Sequence, residues 1–256
     1  MTFAVSAEAY DQFMGRYSEP LAAEFLNFAG VRRGQLALDV GCGPGALTGR
    51  LVERLGATAV TAIDPSTSFV KAVQARFPDV HVETGTAEKL PFPDEAFDVA
   101  LAQLVVHFMT DPVAGLTEMA RVTRPGGVVA ACVWDHAGGG GPLSMFWRAV
   151  HDLDPHAPGE AGLAGAREGH LAEVAEAAGL TAVESALLTV RLRFTTFAEW
   201  WQPFTLRVGP AGDYVGSLSD NGREALRTRC GEVLGPPPFE IVASAWSVRA
   251  HASSGE

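Results

Sequence analysis

The chain has 256 residues, 47% of them hydrophobic and 19% charged, which is enough apolar material for a full core and excludes intrinsic disorder and mini-protein scaffolds. At roughly 150 residues per domain the length corresponds to about 1.7 domains, and one domain over 1–256 with an appendage is the expectation. The formal charge of −11, with no block of Lys or Arg, sets the field against DNA and long RNA and favours a small-molecule partner.

In chain order, residues 1–30 read as an N-terminal cap. The apolar run 36–40 reads as a strand, Gly41-Cys42-Gly43-Pro44-Gly45 as a glycine turn, and 46–55 as a helix whose Leu47, Leu51, Val52 and Leu55 recur at helical spacing. Strand 59–64, helix 66–77 capped by Ser66, strand 80–85, strand 97–106, helix 111–124 and strand 127–135 follow. Asp111-Pro112 supplies an N-cap with a first-turn proline, and Arg124-Pro125-Gly126-Gly127 supplies a stop. Strands separated by helices predict right-handed crossovers and a doubly wound, Rossmann-like α/β sheet with helices on both faces, its ligand-binding core at 31–135.

The run Gly138 to Gly141 reads as a flexible connection opening a stretch, 136–182, of linker and helices near 144–153 and 168–179. Two last strands, 183–194 and 239–250, bring the total to seven, mostly parallel, and a helical lid is inserted between them. The aromatic residues Trp200, Trp201 and Phe204, with Phe146 and Trp147, divide between core and pocket. Residues 251–256 read as a frayed tail. Cys42, Cys132 and Cys230 form no CxxC pair and no metal-ligand spacing, so no metal site is expected and a reducing compartment fits. No apolar run approaches the roughly 18 residues of a spanning helix, and the N-terminus lacks a basic region followed by an apolar stretch. A cytoplasmic protein without membrane insertion is expected, with homodimerisation left open.

Glycine is in excess, 28 of 256 residues or about 11% against a usual roughly 7%. Gly41 to Ala46 satisfies G-x-G-x-x-G/A, the dinucleotide fingerprint, and an NAD-dependent oxidoreductase is one reading of it. Two residues oppose a pyrophosphate there. Asp39, two positions before the first glycine, places a carboxylate near phosphate charge, and Pro44 removes an N–H from the turn. A ligand with positive charge and no phosphate suits the loop better.

Asp39-Val40-Gly41-Cys42-Gly43-Pro44-Gly45 resembles motif I, D/E-x-G-x-G-x-G, of the class I S-adenosylmethionine-dependent methyltransferases. The likeness extends over about residues 10–135. Gly85-Thr86-Ala87-Glu88-Lys89-Leu90-Pro91-Phe92 is similar to the family's G-D-A-E-x-L-P-F segment. Gln103-Leu104-Val105-Val106-His107-Phe108 looks like the exit from strand four, and the stretch ending Arg124-Pro125-Gly126-Gly127 is similar to L-x-R-V-L-x-P-G-G. The nearest subgroup is the small-molecule branch that includes the ubiquinone and menaquinone C-methyltransferases.

The resemblance implies S-adenosylmethionine as cofactor, with Asp39, Gly41 and Gly43 at its methionine end, Asp64 on the ribose hydroxyls, Thr86 and Ala87 at the adenine, and Gln103 at the site. Thr86 replaces the family's usual Asp and accepts a hydrogen bond less strongly. The segment from Tyr10 to Tyr17 resembles the cap that folds over the cofactor, with Arg16 on the methionine carboxylate and Tyr10 near the sulfonium. His107, at the carboxyl end of a strand, is the candidate general base. His136 and His151 carry no constellation, and Asp98 reads as structural. The expected activity is in-line methyl transfer to a small-molecule acceptor at oxygen, carbon or nitrogen. A binding protein that holds the cofactor without turnover is the non-enzymatic alternative.

Overall fold

The structure is a computed structural model and describes residues 7–253. The first six residues of the expected cap and residues 254–256 of the expected tail lie outside the described residues. Helix α1 (Ala7–Tyr10), a π-turn (Asp11–Gly15) and α2 (Arg16–Ala29) lead into β1 (Ala37–Val40) and α3 (Ala46–Leu55). Then come β2 (Val60–Asp64), α4 (Thr67–Arg76), β3 (His81–Thr84), β4 (Phe97–Gln103), α5 (Pro112–Val122) and β5 (Thr123–Trp134). The remainder is α6 (Ser144–Leu153), α7 (His170–Ala177), β6 (Thr181–Phe194), α8 (Phe197–Trp201), α9 (Gly209–Ser217), α10 (Asp220–Leu234) and β7 (Phe239–His251).

Seven strands form one sheet in the order β3-β2-β1-β4-β5-β7-β6. The first five in that order are mutually parallel, and β7 runs antiparallel to both its neighbours. Strand periodicity divides the core in two. On β5, Ala130, Cys132 and Trp134 face the layer built from α2, α3, α4 and α6, whereas Val129, Ala131 and Val133 face α5 and α7. Helix α5 starts as its sequence dictates, with the Asp111 carboxylate accepting from the Ala114 N–H at 3.0 Å and Pro112 in the first turn.

Four local expectations change. Strand β4 stops at Gln103, because Leu104 takes a left-handed backbone (φ 61°), and a 3-10 turn over Val106–Phe108 carries His107 past the strand end. The glycine run after β5 is tied down. Asp135 accepts from the Gly138 N–H and the Trp246 indole, and Ser244 donates to the Gly140 carbonyl at 2.7 Å. A Cβ on Gly138 would lie 2.5 Å from the Asp135 carboxylate, so this glycine lets the turn close on Asp135 at the end of β5. Residues 251 and 252 belong to the sheet, Ala252 donating to Gly127 at 3.0 Å. Trp200, Trp201, Phe204, Phe146 and Trp147 are all buried, and Phe146 stacks on Phe204 at 4.5 Å, so this aromatic group is core. Asp98 is structural, accepting from the Leu36 N–H and pairing with Arg124. No helix among the described residues is long and apolar enough to cross a membrane.

Candidate active site

The chain leaves β1 for β2 on one side, while β4 lies on the other, so the carboxyl ends of β1 and β4 flank the topological switch point, where open α/β sheets bind ligands. A cavity of about 620 Å³ opens there, lined among others by Asp39, Gly41, Gly43, Asp64, Gln103 and Leu104. The glycines have separate reasons. Gly41 has φ +70°, and a Cβ on it would meet Val105 Cγ2 at 2.5 Å; Gly43 has φ +53° and only open space where a Cβ would be. The loop therefore closes tightly at Gly41 against Val105 in the segment that follows β4 and presents bare backbone to the cavity at Gly43.

Two buried acids stand over this loop. Asp39 is 1% exposed and accepts from Thr48 Oγ1 at 2.6 Å. Burial pushes its carboxyl up to about 7 against the pull of that hydrogen bond, and the Asp64 charge adds to the rise. Asp64 is 6% exposed and accepts from the Gly43 N–H at 2.9 Å and the Ser66 N–H at 2.8 Å; burial raises its carboxyl against these two bonds. No Lys or Arg lines the cavity among the described residues, so these acids are arranged for a ligand that brings its own positive or hydrogen-donating groups. Gln103 donates through Nε2 to the Ser18 carbonyl at 3.0 Å, tying α2 over the cavity, and its buried Oε1 has no protein partner.

A narrower chamber of about 40 Å³ adjoins this cavity, and Tyr10, Leu104 and Phe108 line both. Its polar lining includes His107, His136 and Glu160, and the start of α9 closes it from the inserted segment. Trp147 Nε1–H donates to Glu160 Oε2 at 2.6 Å, and His136 Nδ1 stands 3.8 Å from the same oxygen. The His107 and His136 rings lie 5.9 Å apart; His107 Nδ1 and His136 Nε2 are both buried without a partner.

Residues 38–131 match a family described as "Methyltransferase domain". An uncharacterised methyltransferase of Mycobacterium bovis is 36% identical over 135 residues, 53% of this chain and 52% of that protein. A malonyl-[acyl-carrier protein] O-methyltransferase of Erwinia billingiae is 36% identical over 127 residues, 50% of this chain and 49% of its own. The likeness to a methyltransferase domain is thus carried by residues 38–131. The chain spans about half the length of these curated relatives. In the fold, the phosphoethanolamine N-methyltransferase 2 of Haemonchus contortus, solved with S-adenosyl-L-methionine, superposes with a TM-score of 0.61 at 16% identity, covering 97% of this chain and 57% of that one.

The fold brings Asp39, Gly41, Gly43, Asp64 and Gln103 to one cavity. Three expected contacts are absent from it. Arg16 donates to the Glu199 carbonyl at 3.3 Å and lies 5.2 Å from the Phe194 ring, because the start of α2 is packed against α8 and β6. Thr86 is exposed, and Ala87 is buried among Leu90 and Leu116 opposite Gly115 of α5. The wall beyond Asp64 is built instead by Ser66, Thr67, Ser68 and Phe69 at the start of α4. His107 lines the narrower chamber, where burial and then the neighbouring His136 push its imidazole down to about 3. Beside it stand His136, which carries no constellation in the sequence, and Glu160, which no motif singles out. His136 follows β5 just as His107 follows β4, a signal the sequence does contain, whereas Glu160 sits in an irregular loop that only the fold delivers.

Proposed function

We propose that the protein transfers a methyl group from S-adenosylmethionine to a small-molecule acceptor. The observation that carries this reading is the pair of buried acids, Asp39 and Asp64, over a loop with bare backbone at Gly43 and, among the described residues, no Lys or Arg in the cavity lining. The residues fit the cofactor. Asp39 matches its ammonium group, Asp64 retains lone pairs for two ribose hydroxyls, and Gln103 Oε1 offers a free acceptor. Pro44 and the two carboxylates disfavour the pyrophosphate of NAD.

S-adenosylmethionine supplies an activated methyl group on a sulfonium. The chain therefore needs to align donor and acceptor and to exclude water, which the apolar walls at Leu104, Val105 and Phe108 do. The relative named for O-methyl transfer, 36% identical over half of this chain, supports methyl transfer as the reaction. Three buried free cysteines support a reducing, cytoplasmic setting.

Calorimetric titration tests the assignment. Micromolar binding of S-adenosylhomocysteine with no NADH heat is expected, and the reverse result overturns it. Asp64→Asn is expected to weaken S-adenosylhomocysteine tenfold or more, since charge-assisted hydrogen bonds contribute about 1.5–3 kcal/mol; unchanged affinity removes Asp64 from the ribose site.

A further inference from the structure

We propose that His136, backed by Glu160, takes the proton from a neutral hydroxyl acceptor, and that His107 holds the same hydroxyl from the other side of the narrower chamber. This rests on the methyl-transfer reading above. Both histidines and Glu160 line the chamber that shares a wall with the cofactor cavity. His136 and Glu160 side chains are each 6% exposed. Neither residue lies within the matched segment 38–131.

The tautomer follows from the contacts. Glu160 stands on the Nδ1 side of His136, so the Nδ1–H form is favoured and the Nε2 lone pair is left for the chamber. His107 Nδ1 is the second buried ring nitrogen without a partner. Two such atoms around one small chamber are costly unless a ligand satisfies them. A hydroxyl can do both jobs, donating to His136 Nε2 while accepting from the His107 ring. The titratable groups around His136 are Glu160, His107, Tyr10 and its neighbour Asp135.

Charge then narrows the acceptor class. No Lys or Arg lines either chamber among the described residues, and Asp39, Asp64 and Glu160 are all acidic. A carboxylate acceptor would be desolvated against these acids without a counter-charge. Phe13, Met14, Trp134 and Leu143 provide an apolar surround, so the fitting acceptor is an apolar molecule carrying a neutral hydroxyl.

The step balances. The hydroxyl oxygen bonds the methyl carbon as the carbon–sulfur bond of the sulfonium donor breaks, with its electron pair remaining on sulfur, and the hydroxyl proton passes to His136 Nε2. One positive charge leaves sulfur as one arrives on imidazole, where Glu160 stands to meet it. Burial holds the His136 imidazole down at about 4, so it is the free base at neutral pH. Glu160 is a positioning residue; His136 touches the acceptor.

Nitrogen-15 spectra of histidine-labelled full-length protein, saturated with S-adenosylhomocysteine at pH 7, test the dyad. The expected result is a neutral His136 protonated on Nδ1, with Glu160→Gln losing that preference while S-adenosylhomocysteine affinity stays within about twofold. A charged His136, or one protonated on Nε2, overturns the dyad. Phenol, benzoate and benzylamine are the acceptor probes. Phenol is expected to shift His136 Nε2 in the wild type, and His136→Gln is expected to lose the matching shift at His107. No shift with phenol, or a larger one with benzoate or benzylamine, overturns the hydroxyl assignment. Absence of S-adenosylhomocysteine binding is read separately by calorimetry and overturns the methyl-transfer reading together with the proton step.

Discussion

Asp39 is almost wholly buried, and burial opposes its ionisation against the pull of the hydrogen bond from Thr48. Its folded value of about 7 lies above the 3.8 of the free side chain, so between those pH values the folded state binds more protons than the unfolded chain. That contribution favours folding at acid pH and is lost as pH rises through 7. At one kcal scale of about 1.36 per pH unit, the difference is worth at most about 4 kcal/mol. Asp39→Asn keeps an acceptor for Thr48 and removes the charge. It is expected to raise the Tm of the ligand-free protein by several degrees at pH 7.5 in scanning calorimetry, while weakening S-adenosylhomocysteine at least tenfold in titration. An unchanged Tm would show that the buried carboxylate imposes no such load.

At the scale of the element, the β1–α3 turn separates two glycines that look alike in the sequence. Gly41→Ala places a Cβ 2.5 Å from Val105 Cγ2 on a left-handed backbone, with an expected cost of about 2–5 kcal/mol in urea unfolding. Gly43→Ala carries the backbone cost of about 1–2 kcal/mol alone, because its Cβ would meet nothing within 4 Å. The second variant is therefore expected to fold and to lose cofactor affinity. Equal stability losses in the two would remove Val105 as the reason for Gly41. Strand, turn and helix were legible here because the signals are local: apolar alternation before the turn and helical spacing after it. The Gly138 to Gly141 run reads as flexible because Ser244, which donates to Gly140, and Trp246, which donates to the Asp135 carboxylate that Gly138 also bonds, arrive from β7 over a hundred residues later.

For the whole molecule, the enclosed histidines set an acid limit. His107 is pushed down to about 3 and His136 to about 4, both by burial foremost, whereas the unfolded chain takes up these protons near 6.5. Between about 6.5 and 4 the unfolded state binds more protons, so stability present at neutral pH is lost as pH falls. Down to pH 5 each histidine contributes a loss of up to about 2 kcal/mol. Urea unfolding at pH 7 and pH 5 is expected to show a smaller loss, by up to about 4 kcal/mol, in the His107→Gln/His136→Gln double variant. An equal loss in both proteins assigns the acid sensitivity elsewhere.

The sequence by itself determined the seven-stranded α/β architecture and the β1–α3 glycine loop, because strand and helix periodicity and a glycine turn preceded by Asp39 are signals between near neighbours in the chain. Asp39, Gly41 and Gly43 follow that local logic, and the pairing of β2 on β1 brings Asp64 to the Gly43 N–H from 21 residues away. Tertiary structure decided where the long or distant groups go. It turned Arg16 onto Phe194 and the Glu199 carbonyl, left Thr86 exposed and Ala87 in the core, and built the cavity wall from the start of α4. It also brought His107, His136 and Glu160 to one chamber from the ends of two strands and an irregular loop. Such a meeting depends on strand order and on how loops pack over the sheet end, and no spacing along the chain encodes it.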